Sequence, residues 1–317
     1  MLDHIEIQNF RCFPSLTVEL RPLTVLIGEN NTGKSAFLDA IRALDKTSKL
    51  GLADFWRLKT DAAIEIRAAS TQTPNLLVTQ REHKGHMHLD RGTPLEGISF
   101  FRLPSSGVVC RDEGFAESVK ELPLGEQGQR LASVLDYMLR KDRKRFDGVV
   151  TTLRKLVPGF EDLAVDTPDP QSRHLSVILD NELQLPGESL SVGLRHLIFF
   201  ATLAYHPRAP QVILIEEPEL GVHPKRLGDI VRLLRSISQG EYCDHAAQVI
   251  LTTHSPFLLD HVDLACDQLL IFQREEGIEG ARNAYPADKE RLKVFLDEFM
   301  LGEIWVNESE AGLIGRQ

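Results

Sequence analysis

Apolar and polar residues alternate from the start of the chain, with Ile5 and Ile7, then Leu16, Val18 and Leu20, on one side of a two-residue period. A compact apolar run, Leu23 to Ile27, follows. The pattern predicts a hairpin leading into a buried strand. Gly28 to Ser35 is a polar loop, and Ala36 to Leu44 reads as a helix with Phe37, Ala40, Ile41 and Leu44 on one face. Ala62 to Ala69 and Leu76 to Arg81 read as strands, with a turn at Lys84-Gly85 and a return strand at His86 to Leu89.

A helical insert is expected from near Phe115. Its clearest helix runs from Gln129 to Lys144, with Leu131, Val134, Leu135, Met138 and Leu139 on one face. A second helix, Val149 to Leu156, stops at Pro158-Gly159, and Thr167 to Pro170 marks a loop before the strand Leu175 to Leu179. This middle region is too short for a long coiled-coil arm.

From Ser189 onward the pattern becomes α/β. Leu194 to Ala204 is apolar nearly all round, as in a buried helix, and Val212 to Ile215, Val249 to Leu251 and Leu269 to Phe272 are short buried strands. Leu227, Ile230, Val231 and Leu234 mark an amphipathic helix, and Leu292, Phe295, Leu296 and Phe299 a terminal one. The stretch after His254 is thus expected to hold a strand pair and one helix.

The 317 residues, 42% hydrophobic and 26% charged, suffice for a large core. No run approaches the roughly 20 apolar residues of a membrane span, so a cytoplasmic location is expected. The four cysteines, Cys12, Cys110, Cys243 and Cys266, are widely separated and form no C-x-x-C pair, as in a reduced chain. A net charge of -10 argues against coating nucleic acid over the whole surface. The run Arg140-Lys141-Asp142-Arg143-Lys144-Arg145 leaves two readings: a solvated helix end whose cations suit the macrodipole, or a local DNA contact. His83, His86 and His88 read as exposed residues of a hairpin, with a metal site as the alternative.

Gly28-Glu29-Asn30-Asn31-Thr32-Gly33-Lys34-Ser35 satisfies G-x-x-x-x-G-K-[ST] between a predicted strand and a predicted helix. That context suits a phosphate loop: glycines let backbone N–H groups curl around a phosphate at the helix start, with Ala36 beside them. Lys34 reaches the β- and γ-phosphates, and the Ser35 hydroxyl ligates Mg2+. Ile213 to Glu217 is an apolar strand ending in two carboxylates. Glu216 suits a Mg2+ ligand, and Glu217 suits a group that orients or deprotonates the attacking water.

Two further segments extend the pattern. Leu190-Ser191-Val192-Gly193-Leu194-Arg195 opens the buried helix, and Thr253-His254-Ser255-Pro256 ends the next strand. With Ile5 to Arg11, Glu216-Glu217-Pro218-Glu219 and His223-Pro224, they carry a resemblance to the ABC ATPase heads of the RecF/SMC group, most of all the OLD-type, AAA_21-like branch of bacterial proteins.

The resemblance implies an α/β fold: a two-lobed ABC-ATPase head of P-loop NTPase type, a mixed sheet with an antiparallel β lobe and a short helical insert. Residues 1–317 would form one head. Within it, 1–60 would hold the hairpin and phosphate loop, 61–189 the antiparallel strands and insert, and 190–317 the signature helix, Walker B strand and switch-histidine lobe. It also implies ATP and Mg2+ as ligands and a homodimer closing on ATP. The amides of Ser191 and Gly193 would meet the γ-phosphate held by the opposite copy, with His254 as switch histidine and Arg11 near the nucleotide. The Q-loop glutamine that joins the Mg2+ ligands is assigned to Gln80, with Gln72 as the other candidate.

The sequence departs from the family at Glu216, usually aspartate, at Val192, and at Arg195, one position early. OLD-type proteins carry a TOPRIM nuclease after the head, and no built-in nuclease is expected here. The functional expectation is an ATPase switch controlling a separate effector protein, such as a nuclease in antiviral defence. Two alternatives stand beside it: a RecF-like DNA clamp using Arg140 to Arg145, and a nucleotide-dependent binding module with negligible turnover.

Overall fold

The computed structural model describes residues 1–45, 50–70, 76–83, 86–91, 95, 97–113, 123–242, 246–275 and 277–314, with backbone alone over 70, 76–83 and 86–91. In chain order the first elements are β1 (Leu2–Phe10), β2 (Phe13–Glu19), β3 (Leu23–Ile27), α1 (Lys34–Arg42), β4 (Ile64–Ser70), β5 (Leu76–His83), β6 (His86–Arg91), β7 (Ile98–Arg102) and β8 (Arg111–Asp112). Next come α2 (Leu131–Lys141), α3 (Arg143–Leu156), β9 (Phe160–Asp166), β10 (Arg173–Leu179), β11 (Gln184–Pro186), α4 (Val192–Ala204), β12 (Val212–Glu216) and α5 (Leu227–Gln239). The chain ends with β13 (Gln248–Thr252), α6 (Pro256–Leu259), β14 (Gln268–Arg274), β15 (Arg282–Pro286), α7 (Lys289–Phe295) and α8 (Leu301–Ile314).

These elements form two compact units. The first holds Met1–Ile98, Gln211–Leu214 and Gln248–Gln317; the second holds Ser99–Pro210 and Ile215–Ala247. In the first unit, an antiparallel sheet runs β2-β1-β4-β5-β6. Its alternating pattern buries Ile5, Ile7, Ile64 and Ile66 on one side. A mixed sheet places β3 between parallel β13 and β14, with β15 antiparallel on the edge of β14 and β12 beyond β13. Every residue of β3, β12 and β13 is buried, which explains their continuous apolar runs.

In the second unit, β10 pairs antiparallel with β9, β11 and β8. Asp112 on β8 accepts hydrogen bonds from the backbone of Arg130 and from Ser133, serving the start of α2, which lacks a side-chain cap of its own. The helix expected over Gln129 to Lys144 is two helices. Asp142 interrupts it and caps α3 by accepting from Arg145 N–H, so α3 begins well before Val149. The basic run therefore straddles a helix junction, where Arg140, Arg143 and Arg145 pair with Asp136, Asp147 and Asp142. The stretch after His254 also differs from expectation: besides β14 and β15 it holds α6, α7 and α8, and α7 stops at Phe295, short of Phe299.

Candidate functional site

The phosphate-loop segment lies in the first unit. Buried β3 delivers the chain to Gly28, whose φ of 138° belongs to glycine, and a Cβ there would lie 2.2 Å from the Phe272 carbonyl oxygen of β14. Gly33 stands at the start of α1 with φ 103°. A Cβ there would come within 2.8 Å of the Phe13 ring and 2.9 Å of the Cys12 sulfur. Both glycines are thus demanded by the chain that encloses them.

Inside the loop, Lys34 is only 7% exposed. Its Nζ donates to the carbonyls of Gly28 at 2.7 Å and Glu29 at 2.9 Å. The Thr32 hydroxyl donates to Glu29 carbonyl at 2.8 Å. Glu29, Asn30, Asn31 and Ser35 are exposed, and Ala36 is half-buried. At the start of α1, Phe37 N–H bonds back to the Gly33 carbonyl at 2.8 Å, and no acidic residue occupies the first turn. A positive helix end, a buried ammonium and a glycine-lined approach form a cradle suited to an anion of phosphate type.

Other first-unit residues border this loop. β13 pairs Thr252 with Leu26 of β3, and Thr253 N–H donates to the Leu26 carbonyl at 3.1 Å. The exposed His254 therefore sits at the strand end beside the one that enters the loop. Ser255 then caps α6. Arg11 is committed to two carboxylates: it binds Asp39 on α1 and donates to Asp54 at 2.8 Å. It touches the phosphate loop's helix rather than the loop itself. Arg282 on β15 is a residue that no motif marks. Its Nε donates to the Asn31 carbonyl at 2.8 Å, and its N–H to the Cys12 carbonyl at 2.9 Å. Only the pairing of β15 with β14 reveals it. Gln80 lies on β5 opposite Ile64 and Leu89, and its side chain lies outside the described residues. The side chains of His83, His86 and His88, all of Gln72 and Cys243, and the segment around Phe115 also lie outside them.

The second unit holds the paired carboxylates and the signature-like segment. Glu216 closes β12, 7% exposed, and meets Arg102 at 3.4 Å. A buried carboxylate on an apolar strand is costly without a cation or donor beside it. Its oxygen donors match a hard divalent metal such as Mg2+. Glu217 follows with φ 47°, a left-handed backbone that a β-carbon resists and that structures retain mostly at turns and functional positions.

Ser191 caps α4, its Oγ accepting from Leu194 N–H at 3.3 Å, and is exposed. Gly193, in the first turn, has no atom closer than Val222 at 3.9 Å to an added Cβ. Arg195 turns to the loop at 105–108, where it donates to the carbonyls of Ser106 at 2.6 Å and Val108 at 3.3 Å. Next to it, His196 is fully buried beside the Pro104 carbonyl. Burial pushes its pKa down to about 4, aided by the Arg195 charge. No group of three metal-binding side chains occurs among the described residues, and no described helix is long and apolar enough to cross a membrane.

The family described as "AAA domain, putative AbiEii toxin, Type IV TA system" matches residues 124–260, and that described as "AAA ATPase domain" matches residues 1–84. An OLD nuclease of Thermus scotoductus is 23% identical over 327 residues, an alignment covering 82% of this chain and 60% of that protein. The chain thus spans about 60% of the length of the curated relative it matches.

Among solved structures, an SMC head bound to the C-winged helix domain of ScpA superposes with a TM-score of 0.63 at 14% identity, covering 92% of this chain and 99% of that one. The SMC head domain of Thermotoga maritima gives 0.55 at 13% identity, covering 90% and 99%. An SMC head with an extended coiled coil from Pyrococcus furiosus, bound to the C-terminal domain of ScpA, gives 0.59 at 12% identity, covering 94% and 98%.

Proposed function

Taking an ABC-type ATPase head of the OLD-like branch as the premise, we propose that the chain binds and hydrolyses ATP as a dimeric switch that controls a separate effector protein. The effector in this reading is a nuclease acting in bacterial antiviral defence; the matching relative is itself named an OLD nuclease. The observation that carries this reading is the completed loop. Lys34 is buried and anchored by two loop carbonyls at the start of a helix with no acidic residue in its first turn.

In this reading Lys34 and the amides of Gly33 to Ala36 hold the β- and γ-phosphates of ATP. Ser35, Glu216 and Gln80 would hold Mg2+, which supplies charge neutralisation on the phosphate oxygens when bound. Glu217 orients the attacking water and accepts its proton. His254 donates to the γ-phosphate from the end of β13. The amides at the start of α4, including those of Ser191 and Gly193, serve the phosphate held by the second copy. Arg11 contributes through α1, whose Asp39 it binds. The pairing of Arg140, Arg143 and Arg145 with aspartates supports the switch over the DNA clamp, because paired cations attract phosphates less.

Steady-state phosphate release by the purified chain, with and without linear duplex DNA at low salt and with Glu217→Gln as blank, tests this reading. Release that is lost in the blank and indifferent to DNA is expected. Strong stimulation by DNA would favour the clamp. ATP binding with no release above the blank would favour a binding module.

A further inference from the structure

A cavity of about 360 Å³ opens wholly within the second unit, where α3, the residue after α4 and the outer half of α5 converge. That size falls in the range of small-molecule sites, roughly 300–1,000 Å³. One wall is aromatic, formed by Tyr205 and Tyr242, whose rings pack on each other with centroids 4.9 Å apart and planes tilted by 42°. The Tyr205 hydroxyl is hydrogen-bonded to Thr152 at 3.0 Å. The Tyr205 ring is seated on α3 at Gly148, where a Cβ would lie 2.3 Å from it. Glycine inside a helix is unfavourable relative to alanine. The fold accepts that cost where this ring lies.

Three cations, Lys155 on α3 and Arg232 and Arg235 on α5, line the same cavity against one carboxylate, Asp229. Asp229 is already shared between Arg226, at 3.3 Å, and Arg232. The lining is therefore aromatic on one side and net positive on the other. Neither the phosphate loop nor Glu216 or Glu217 contributes to it.

We propose that this cavity binds a second anionic ligand with a flat ring, of the nucleotide class, apart from the ATP site. The base lies against the two tyrosines, and the phosphate is held by Lys155, Arg232 and Arg235, which, unlike the paired cations of the Arg140 to Arg145 run, outnumber the single carboxylate Asp229. The site goes beyond the ATPase reading and gives the head a sensor. α4 is flanked by Ser191 at its start and Tyr205 at its end, so a ligand that orders one end of this helix bears on the signature segment at the other.

The test titrates the full chain carrying Lys34→Ala, which removes the phosphate loop's contribution, with the nucleoside monophosphates of each base and with inorganic phosphate, by calorimetry. The expected result is one site per chain for at least one monophosphate, bound at least about tenfold more tightly than inorganic phosphate. Lys155→Glu and Arg232→Glu, both at exposed side chains, should each weaken it by about tenfold or more; Lys155→Glu should leave the thermal melt in place, whereas Arg232→Glu also gives up the pair with Asp229. Tyr242→Ala should weaken it as well. The proposal is overturned by the absence of binding to every monophosphate, by equal affinity for inorganic phosphate, by binding to a single-stranded oligonucleotide alone, or by affinity that neither charge reversal changes. ATP titrated into the wild type and Lys34→Ala reports on the phosphate loop separately, so the two readings fail independently.

Discussion

Gly28 and Gly33 have positive φ values, and a methyl group at either would strike Phe272, Phe13 or Cys12 of the same chain. Gly193 sits in the first turn of α4 without a positive φ, and its nearest obstacle to a methyl group is Val222 at 3.9 Å. The first pair is required by the fold. The third is not, although a helical glycine costs about 1 kcal/mol against alanine. The side chains around them differ in the same sense: Lys34 is buried and tied to its own loop, whereas Ser191 is exposed at a helix end. The contrast suggests that the grip on phosphate is built inside one chain, while the segment around Gly193 is shaped for something approaching from outside.

The largest expected effect removes chemistry and spares both helix starts. Glu217→Gln should lower turnover by about 10²- to 10⁴-fold while ATP binding persists; unchanged phosphate release would remove Glu217 from its role. Lys34→Ala should weaken ATP affinity by roughly 100-fold, the equivalent of losing a charge-assisted contact or two, as read by calorimetry. Affinity within a factor of two of wild type would break the phosphate-loop half of the comparison.

Gly33→Ala should destabilise the chain by about 2–3 kcal/mol in urea unfolding, because strain and a clash coincide there. His196 provides a pH handle on α4. Its folded pKa, about 4, lies below the ordinary 6.5, so the unfolded chain takes up a proton that the folded chain refuses. Stability should fall as pH drops from 6.5 toward 4 and be insensitive to this group above 6.5, with a shallower decline for His196→Leu; parallel declines would contradict the burial argument. Gly193→Ala should shift stability least, by about 1 kcal/mol or less and toward greater stability, yet impair ATP-dependent pairing. Destabilisation like that of Gly33→Ala would erase the contrast.

The phosphate loop was legible because its physics is local. A buried strand, a glycine turn and a helix start are adjacent in sequence, and their spacing alone predicts the cradle that Gly28 to Ala36 form. The parallel strands were equally clear, since burial on both faces leaves continuous apolar runs. What escaped depended on contacts across the sequence. Nothing near Arg282 signals that it grips the Asn31 carbonyl, and nothing near Arg195 signals its hold on the carbonyls of Ser106 and Val108.

The break between α2 and α3 was expected a few residues late, between Lys144 and Val149, because Arg140 to Arg145 holds no apolar residue to mark a face and the stop is a capping aspartate, not a proline or glycine. α8 was missed for a different reason. Its apolar residues fall on more than one face, with Leu301 and Ile304 buried but Val306 exposed, and Ser309 departs from helical backbone.

The central claim is that ATP closes two copies of this chain on each other. Sedimentation velocity of the Glu217→Gln chain, with and without ATP and Mg2+ and beside the double variant Glu217→Gln/Ser191→Arg, tests it most directly. The account predicts a monomer without ATP, a dimer with it, and a monomer at every ATP concentration for the double variant. A Glu217→Gln chain that binds ATP and stays monomeric, or a double variant that still pairs, would contradict it.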